Sequence, residues 1–357
     1  MRIAQVSPLY ESVPPQLYGG TERVVSYLTE GLVALGHEVT LFASGDSQTS
    51  ARLISPCKRA LRLDDACVDE LAYHYVMLES VVERSHEFDL LHFHVDYLHF
   101  PFSKRCAVPH MTTLHGRLNI SELVPLHRAF PDIPLVSISM AQRKPLPWAN
   151  WIGNVYHGLP APDFFSGDCK RNYLAFIGRI AREKRVDRAI EIALKAGMHL
   201  KIAAKVDPHD RDYYETEIRP LLNHPLVEYI GEISEEQKPQ FLGNAYAQIF
   251  PIDWPEPFGL CMIEAMSYGT PTIAFDCGSV SEVLRDGVSG FVVNSIEEAV
   301  AAVPKIACLS RAACRREFDR RFLASRMAED YVRLYELLLT AETLALPAPR
   351  LDSSLTL

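Results

Sequence analysis

The first 44 residues, "MRIAQVSPLYESVPPQLYGGTERVVSYLTEGLVALGHEVTLFAS" (Met1–Ser44), decide how the rest of the chain is read. Arg2 to Pro8, "RIAQVSP", reads as a buried strand. A loop rich in proline and glycine follows. From Thr21 to His37, apolar residues fall at Val24, Val25, Leu28, Leu32 and Leu35, which is a helical period. Gly36 ends the helix, and "EVTLFAS" is the next strand. A strand, a loop, a helix and a second strand in this order imply a parallel sheet.

Outward from this unit the same rhythm continues. Residues 68–85 read as a helix, and "FDLLHFHV", "HMTTLHG" and "PLVSISM" as strands. Across 158–172, "GLPAPDFFSGDCKRN" breaks the pattern as a linker does. The rhythm then restarts. "YLAFIGR", "HLKIAAK", "VEYIGE", "AQIFP", "TPTIAF" and "GFVV" read as strands. "VDRAIEIALKAG", "YYETEIRPLL", "KPQFLGNA" and "NSIEEAVAAV" read as helices, the last with Ser295 and Glu298 at capping-box spacing. A long amphipathic helix, "ASRMAEDYVRLYELLL", lies near the C-terminus, and the last dozen residues read as a loose tail. The expectation is α/β: two doubly wound parallel-sheet domains, 1–160 and 170–319, with a helix at about 320–345 crossing back onto the first. The 357 residues exceed what one core usually holds. Open parallel sheets bind ligands at the carboxyl ends of their strands, so chemistry is expected in a cleft between the domains.

Composition narrows the partners. A formal net charge of -9 does not favour nucleic acid. Eight cysteines form no CxxC pair and read as reduced thiols of a cytoplasmic protein. No signal peptide and no membrane span are expected. Association with a membrane surface is left open by these features.

Two stretches concentrate polar residues where the cleft is expected. In "PEPFGLCMIEAM" (Pro255–Met266), Glu256 precedes a proline and Glu264 lies in the early turns of a helix. The N–H groups of Phe258, Gly259 and Leu260 would point out of the helix start as an anion site. The plainer alternative is a helix cap and a glutamate favoured by the dipole. In "FIGRIAREKRVD" (Phe176–Asp187), Gly178 ends a strand, and Arg179 and Lys184 follow. Two cations there suit a diphosphate, or are solvated loop charges. "HFHVD" would put His92, His94 and Asp96 on one face of a strand, as a metal site or as a polar strand end opening into the cleft. The second is preferred, and no metal is expected. "DPHD" (207–210) reads as surface.

Taken in order, "YGGTERVV", "GHEVTLF", "FDLLHFH", "LHG", "GR" with "EK", "PEPFGLCMIEAM", "GTPTIAF", "DGVSGFVV" and "MAEDYVRLY" resemble glycosyltransferase family 4. These are retaining nucleotide-sugar enzymes of GT-B architecture. The resemblance implies that Arg179 and Lys184 bind the donor diphosphate, Glu256 the transferred sugar and Glu264 the ribose. It implies that Phe258, Gly259 and Leu260 contact sugar or phosphate through backbone, and that Glu232 and Ile233 lie beside the base. Gly19 and Gly20 would admit phosphate or acceptor, and His115 would make a polar contact near the donor sugar. Arg117 is either an acceptor contact or a surface charge. Arg185 departs from the glycine often found after the lysine.

The expected reaction moves a hexose from a nucleoside diphosphate sugar, UDP before GDP, to an acceptor hydroxyl. It would need no metal and no other cofactor, because two cations and helix dipoles do the electrostatic work. One alternative is a peripheral membrane glycosyltransferase acting on a lipid-linked acceptor; the acidic helix at 68–85 leans against it. A Rossmann oxidoreductase is the other, but "SPLYESVPPQLYGG" lacks GxGxxG.

Overall fold

The computed structural model describes residues 1–16, 19–162 and 171–345. The tail from 346 onward lies outside the described residues, as does most of the expected linker.

Seven parallel strands form the first sheet: β1 (Arg2–Val6), β2 (Glu38–Phe42), β3 (Arg52–Ile54), β4 (Leu90–Phe93), β5 (His110–Thr113), β6 (Leu135–Ser137) and β7 (Trp151–Asn154), in the order β3-β2-β1-β4-β5-β6-β7. Six parallel strands form the second: β8 (Tyr173–Arg179), β9 (His199–Lys205), β10 (Val227–Gly231), β11 (Ala247–Phe250), β12 (Thr272–Phe275) and β13 (Gly290–Val293), in the order β10-β9-β8-β11-β12-β13. Each sheet winds outward in both directions from its first strand. β1 pairs with β2 and β4, and β8 with β9 and β11. A crevice therefore opens at the carboxyl ends of β1 and β8. The two crevices face each other.

The first helix runs Gly20–Ala34 and buries Val24, Val25, Leu28 and Leu32, as its period requires. Its C-terminal turn is followed by Gly36 at φ 84. Edge strands β3 and β7 were not foreseen. They are three and four residues long, and β7 is only half-buried, so neither shows a clear alternation. The expected helix over "YYETEIRPLL" is broken into an α turn (Arg211–Tyr213), a wider π turn (Tyr214–Ile218) and a tight 3-10 segment (Arg219–Asn223). Pro220 has no N–H to continue an α-helical ladder there. The Ser295 cap forms: its Oγ accepts from Glu298 N–H at 3.1 Å. The reciprocal arm reaches one residue further back, Glu298 Oε2 accepting from Asn294 N–H at 2.8 Å.

After a helix at Arg311–Arg321 the chain returns to the first sheet. The last helix, Ala324–Ala345, buries Met327, Ala328, Tyr331 and Tyr335 among Ile3, Val24, Leu28, Leu90 and Val136. The outgoing and returning segments run side by side at the crossing, bridged at Leu159 and Leu323. Leu159 N–H donates to Phe322 O at 2.9 Å, and Ala324 N–H to Leu159 O at 2.8 Å. A Cβ at Gly158 would fall 2.4 Å from Leu323 O, so only glycine permits this approach.

Candidate active site

Between the two sheets lies a cavity of about 530 Å³. Gly19, Gly20 and His115 line it from the first domain. Gly178, Arg179, Lys184, Ile233, Glu256, Phe258, Gly259, Leu260 and Glu264 line it from the second, with Glu232. Residues from five separate stretches of sequence thus share one space. Arg117 and Arg185 do not line it.

The turn before the helix Leu260–Ser267 is fixed by three successive carbonyls. Glu256 O accepts from Ser279 N–H (3.0 Å), Pro257 O from Ser139 Oγ (2.6 Å) and Phe258 O from Ser279 Oγ (2.9 Å). Ser139 belongs to the first domain, so the turn is also a domain contact. Gly259 then adopts φ 80, ψ 65, and a Cβ there would meet Met262 Cε at 2.6 Å. With the carbonyls engaged elsewhere, the helix start presents amides that have no intrahelical acceptor. They are suited to an anion.

Cations and carboxylates are interleaved. Lys184 Nζ lies 2.5 Å from Glu256 Oε2, which also accepts from Trp254 Nε1 at 2.9 Å. The same ammonium sits 4.9 Å from the Trp254 ring centre. Arg179 reaches Glu183 (2.6 Å), Asp207 (3.4 Å) and Asp210 (3.6 Å). The "DPHD" loop is therefore a correction to the surface reading: its two aspartates flank a cleft arginine. Arg185 holds the left-handed conformation, φ 54, ψ 52, that a glycine would take freely. It turns outward, its guanidinium 2.7 Å from Asp187 and 2.7 Å from Asp253. The hydrogen bonds it donates to Asp187 hold its pKa above the usual arginine range. The cost of the backbone conformation is offset by these pairs, and no extra charge enters the cleft.

On the opposite wall stand histidines. His115 Nε2 lies 2.9 Å from His94 Nδ1, and His94 Nε2 lies 2.8 Å from Gln5 Oε1, so His94 Nε2 carries a proton toward the amide oxygen. His115 stacks on His157, ring centres 5.3 Å apart. Burial pushes the pKa of His115 down to about 3, so the imidazole is neutral near pH 7. Its Nδ1 is enclosed and has no hydrogen-bond partner among the described residues. A buried polar atom in that state is suited to a ligand hydroxyl. The shared strand face expected for His92, His94 and Asp96 does not hold. β4 ends at Phe93, and Asp96 opens a turn with its own φ at 49. His94 and Asp96 line the cleft, while His92 is turned back to Tyr335 Oη (2.8 Å) and Thr113 Oγ1 (2.7 Å). Among the described residues no three metal-ligating side chains converge.

Several lining residues were not singled out from sequence. Glu22 is buried in the first turn of the first helix, and burial raises its pKa to about 7. Arg23, Glu235 and Lys238 form ion pairs beside Glu264. Lys238 Nζ lies 2.6 Å from Glu264 Oε1 and also bonds Glu235, which lies 2.9 Å from Arg23 Nη1. "EEQKPQ" looks like any solvated helix start, and only the fold turns its lysine inward. Trp254 was likewise hidden, and Arg117 stands over it with 5.7 Å from guanidinium to ring centre.

A family profile described as "Glycosyltransferase Family 4" matches residues 18–162, and one described as "Glycosyl transferases group 1" matches residues 165–313. An "Uncharacterized 41.2 kDa protein in cps region" of Klebsiella pneumoniae is 26% identical over 170 residues, 46% of each chain. The "Uncharacterized glycosyltransferase MJ1607" of Methanocaldococcus jannaschii is 22% identical over 337 residues, 82% of this chain and 85% of its own. Among solved structures, Anabaena Alr3699/HepE in complex with UDP and glucose superposes with a TM-score of 0.73 at 15% identity, covering 97% of this chain and 99% of that one. Two facing parallel-sheet domains of this kind make the GT-B architecture. Among the described residues no helix is long and apolar enough to cross a membrane.

Proposed function

The chain belongs to the group 1 glycosyltransferases of glycosyltransferase family 4, and from that membership we propose that it moves a hexose from a nucleoside diphosphate sugar to an acceptor hydroxyl with retention of configuration. One observation carries this most directly: a cation and a carboxylate, Lys184 and Glu256, meet at 2.5 Å beside the amide-rich start of the helix Leu260–Ser267. A diphosphate needs the cation and the amides, and a sugar ring needs the carboxylate.

In this reading Arg179 and Lys184 face the diphosphate, and the amides of Phe258 to Leu260 face a phosphate or the sugar. Glu256 accepts from hydroxyls of the transferred sugar, and Glu264 from the ribose. His115 offers Nδ1 to a sugar or acceptor hydroxyl. As the bond from the anomeric carbon to the phosphate oxygen lengthens, negative charge gathers on the diphosphate and positive charge on the ring. The acceptor oxygen bonds to the same face, and its proton passes to the departing phosphate oxygen. The protein supplies position and fixed charge. Because two side-chain cations and a helix start carry the leaving-group charge, we propose that no metal is required. UDP is the proposed nucleotide, supported by the bound UDP of the Anabaena neighbour.

A screen of donor hydrolysis across UDP-, GDP- and ADP-sugars tests the proposal. Turnover of at least one donor, unchanged by EDTA, is expected. Release of no nucleotide from any donor overturns it, and a rate abolished by EDTA and restored by a divalent cation overturns the metal-free part.

A further inference from the structure

A line of four alternating charges crosses the cleft from one domain to the other. Arg23, on the first helix, sets Nη1 2.9 Å from Glu235 Oε1, in the loop after β10. The same oxygen accepts from Lys238 Nζ, which lies 2.6 Å from Glu264 Oε1. The Arg23 side chain is 7% exposed, and those of Lys238 and Glu264 are 12% exposed each. The four charges cancel: three of the side chains are largely buried, and Glu235, 42% exposed, joins them at the solvent edge. Burial lowers the Lys238 pKa, but Glu264 and Glu235 together outweigh it and raise the value. The ammonium therefore stays charged.

The place of this chain in the molecule gives it a role. Tyr27, one turn after Arg23, and Leu260, at the start of the Glu264 helix, each pack against the cores of both domains. The first helix thus rests on the helix that carries Glu264. Lys238 and Glu264 both line the cleft. A glutamate that is to accept from two neighbouring hydroxyls must hold one orientation, and a flexible side chain pays entropy to do so. Lys238 fixes one carboxylate oxygen beforehand. Arg23 and Glu235 in turn fix Lys238, and Arg23 belongs to the other domain.

We infer that Lys238 is a positioning residue for donor recognition, holding Glu264 toward the ribose, and that Arg23, through Glu235, makes this setting depend on contact between the two domains. The inference rests on the reading of the cleft as a nucleotide-sugar site. It adds two residues and a link between nucleotide affinity and domain contact.

The test measures equilibrium binding of UDP and GDP to the full chain, each beside its 2′,3′-dideoxy form. For the diphosphate that binds, loss of the ribose hydroxyls is expected to weaken wild-type binding roughly tenfold or more, as for a hydrogen bond to a charged group. In Lys238→Met the same loss is expected to shrink to about threefold or less, because Glu264 no longer holds its orientation. Arg23→Met is expected to reduce it in part, and Arg23→Lys to restore it. Each penalty is a ratio within one protein, so a lower folded fraction cancels. If Lys238→Met weakens both forms equally, the lysine is structural and the inference falls. If Glu264→Gln abolishes the ribose penalty while Lys238→Met leaves it whole, the inference falls and the site reading stands. If neither diphosphate binds wild type, the site reading falls and takes the inference with it.

Discussion

Glu256 and Glu264 bear the same carboxylate, yet their partners set them different tasks. Glu256 faces Lys184 on a turn, and its proposed ligand is a ring that gains positive charge during reaction. Glu256→Gln is therefore expected to lower kcat. Glu264 faces Lys238 on a helix, and a ribose does not change. Glu264→Gln is expected to raise donor KM about tenfold or more and to leave kcat nearly unchanged. Steady-state kinetics with varied donor separate the two. Arg179→Ala and Lys184→Ala are each expected to lower turnover by about 10²–10³, as loss of one preorganised charge-stabilising group does. Activity within a fewfold of wild type would remove them from the proposed site. Glu22 gives a pH test. Its pKa is about 7 in the fold against 4.5 in the exposed state. The fold holds this proton more tightly, so the stability it contributes is full below pH 4.5 and is lost as pH rises through 7. The loss is on the order of 3 kcal/mol, and Glu22→Gln should flatten it. Urea unfolding at pH 5 and pH 8 measures both slopes. The twelve residues from Gly19 to Glu264 expected at the donor site line the cleft, because short ordered motifs name them, while Arg117 and His92 do not. Lys238 and Asp207 stayed hidden because an inward lysine and an outward one have the same spacing in sequence.

At the level of elements, the site is built from strand ends and helix starts that sequence periodicity does locate. What periodicity misses is where the backbone must bend. β3 and β7 escaped because three or four residues carry no period, and the helix expected at "YYETEIRPLL" changes its pitch around Pro220. Arg185 is the clearer case. A doubtful residue in the loop proves to be a left-handed position stabilised by Asp187 and Asp253. Arg185→Gly relieves the backbone and loses the ion pairs, and the side chain points away from the cleft. Its kcat/KM is expected to stay within about threefold of wild type, the two effects offsetting within about 1 kcal/mol. A loss comparable to Lys184→Ala would show that the arginine reaches the donor after all.

At the level of the molecule, the last helix is a part of the first domain delivered from the other end of the chain. Tyr335 Oη accepts from Gln5 Nε2 at 3.1 Å and lies 2.8 Å from His92 Nδ1, and Tyr331 Oη lies 2.9 Å from Thr113 Oγ1. Tyr335→Phe strands these buried groups and is expected to cost about 1–3 kcal/mol, read by denaturant unfolding. Tyr331→Ala should cost more, about 3–5 kcal/mol, from the cavity it opens. Hydrogen exchange should show either loss first in β1, β4 and β5. The same arrangement bears on biosynthesis. A ribosome adding about 5–20 residues per second releases β1 through β7 on the order of 10–30 s before the helix from Ala324 emerges. For that interval the nascent sheet has apolar residues such as Ile3, Leu90 and Val136 without their final cover. The sheet that is made before the second domain is completed after it, and through that interval its apolar face is of the kind that promotes association between chains.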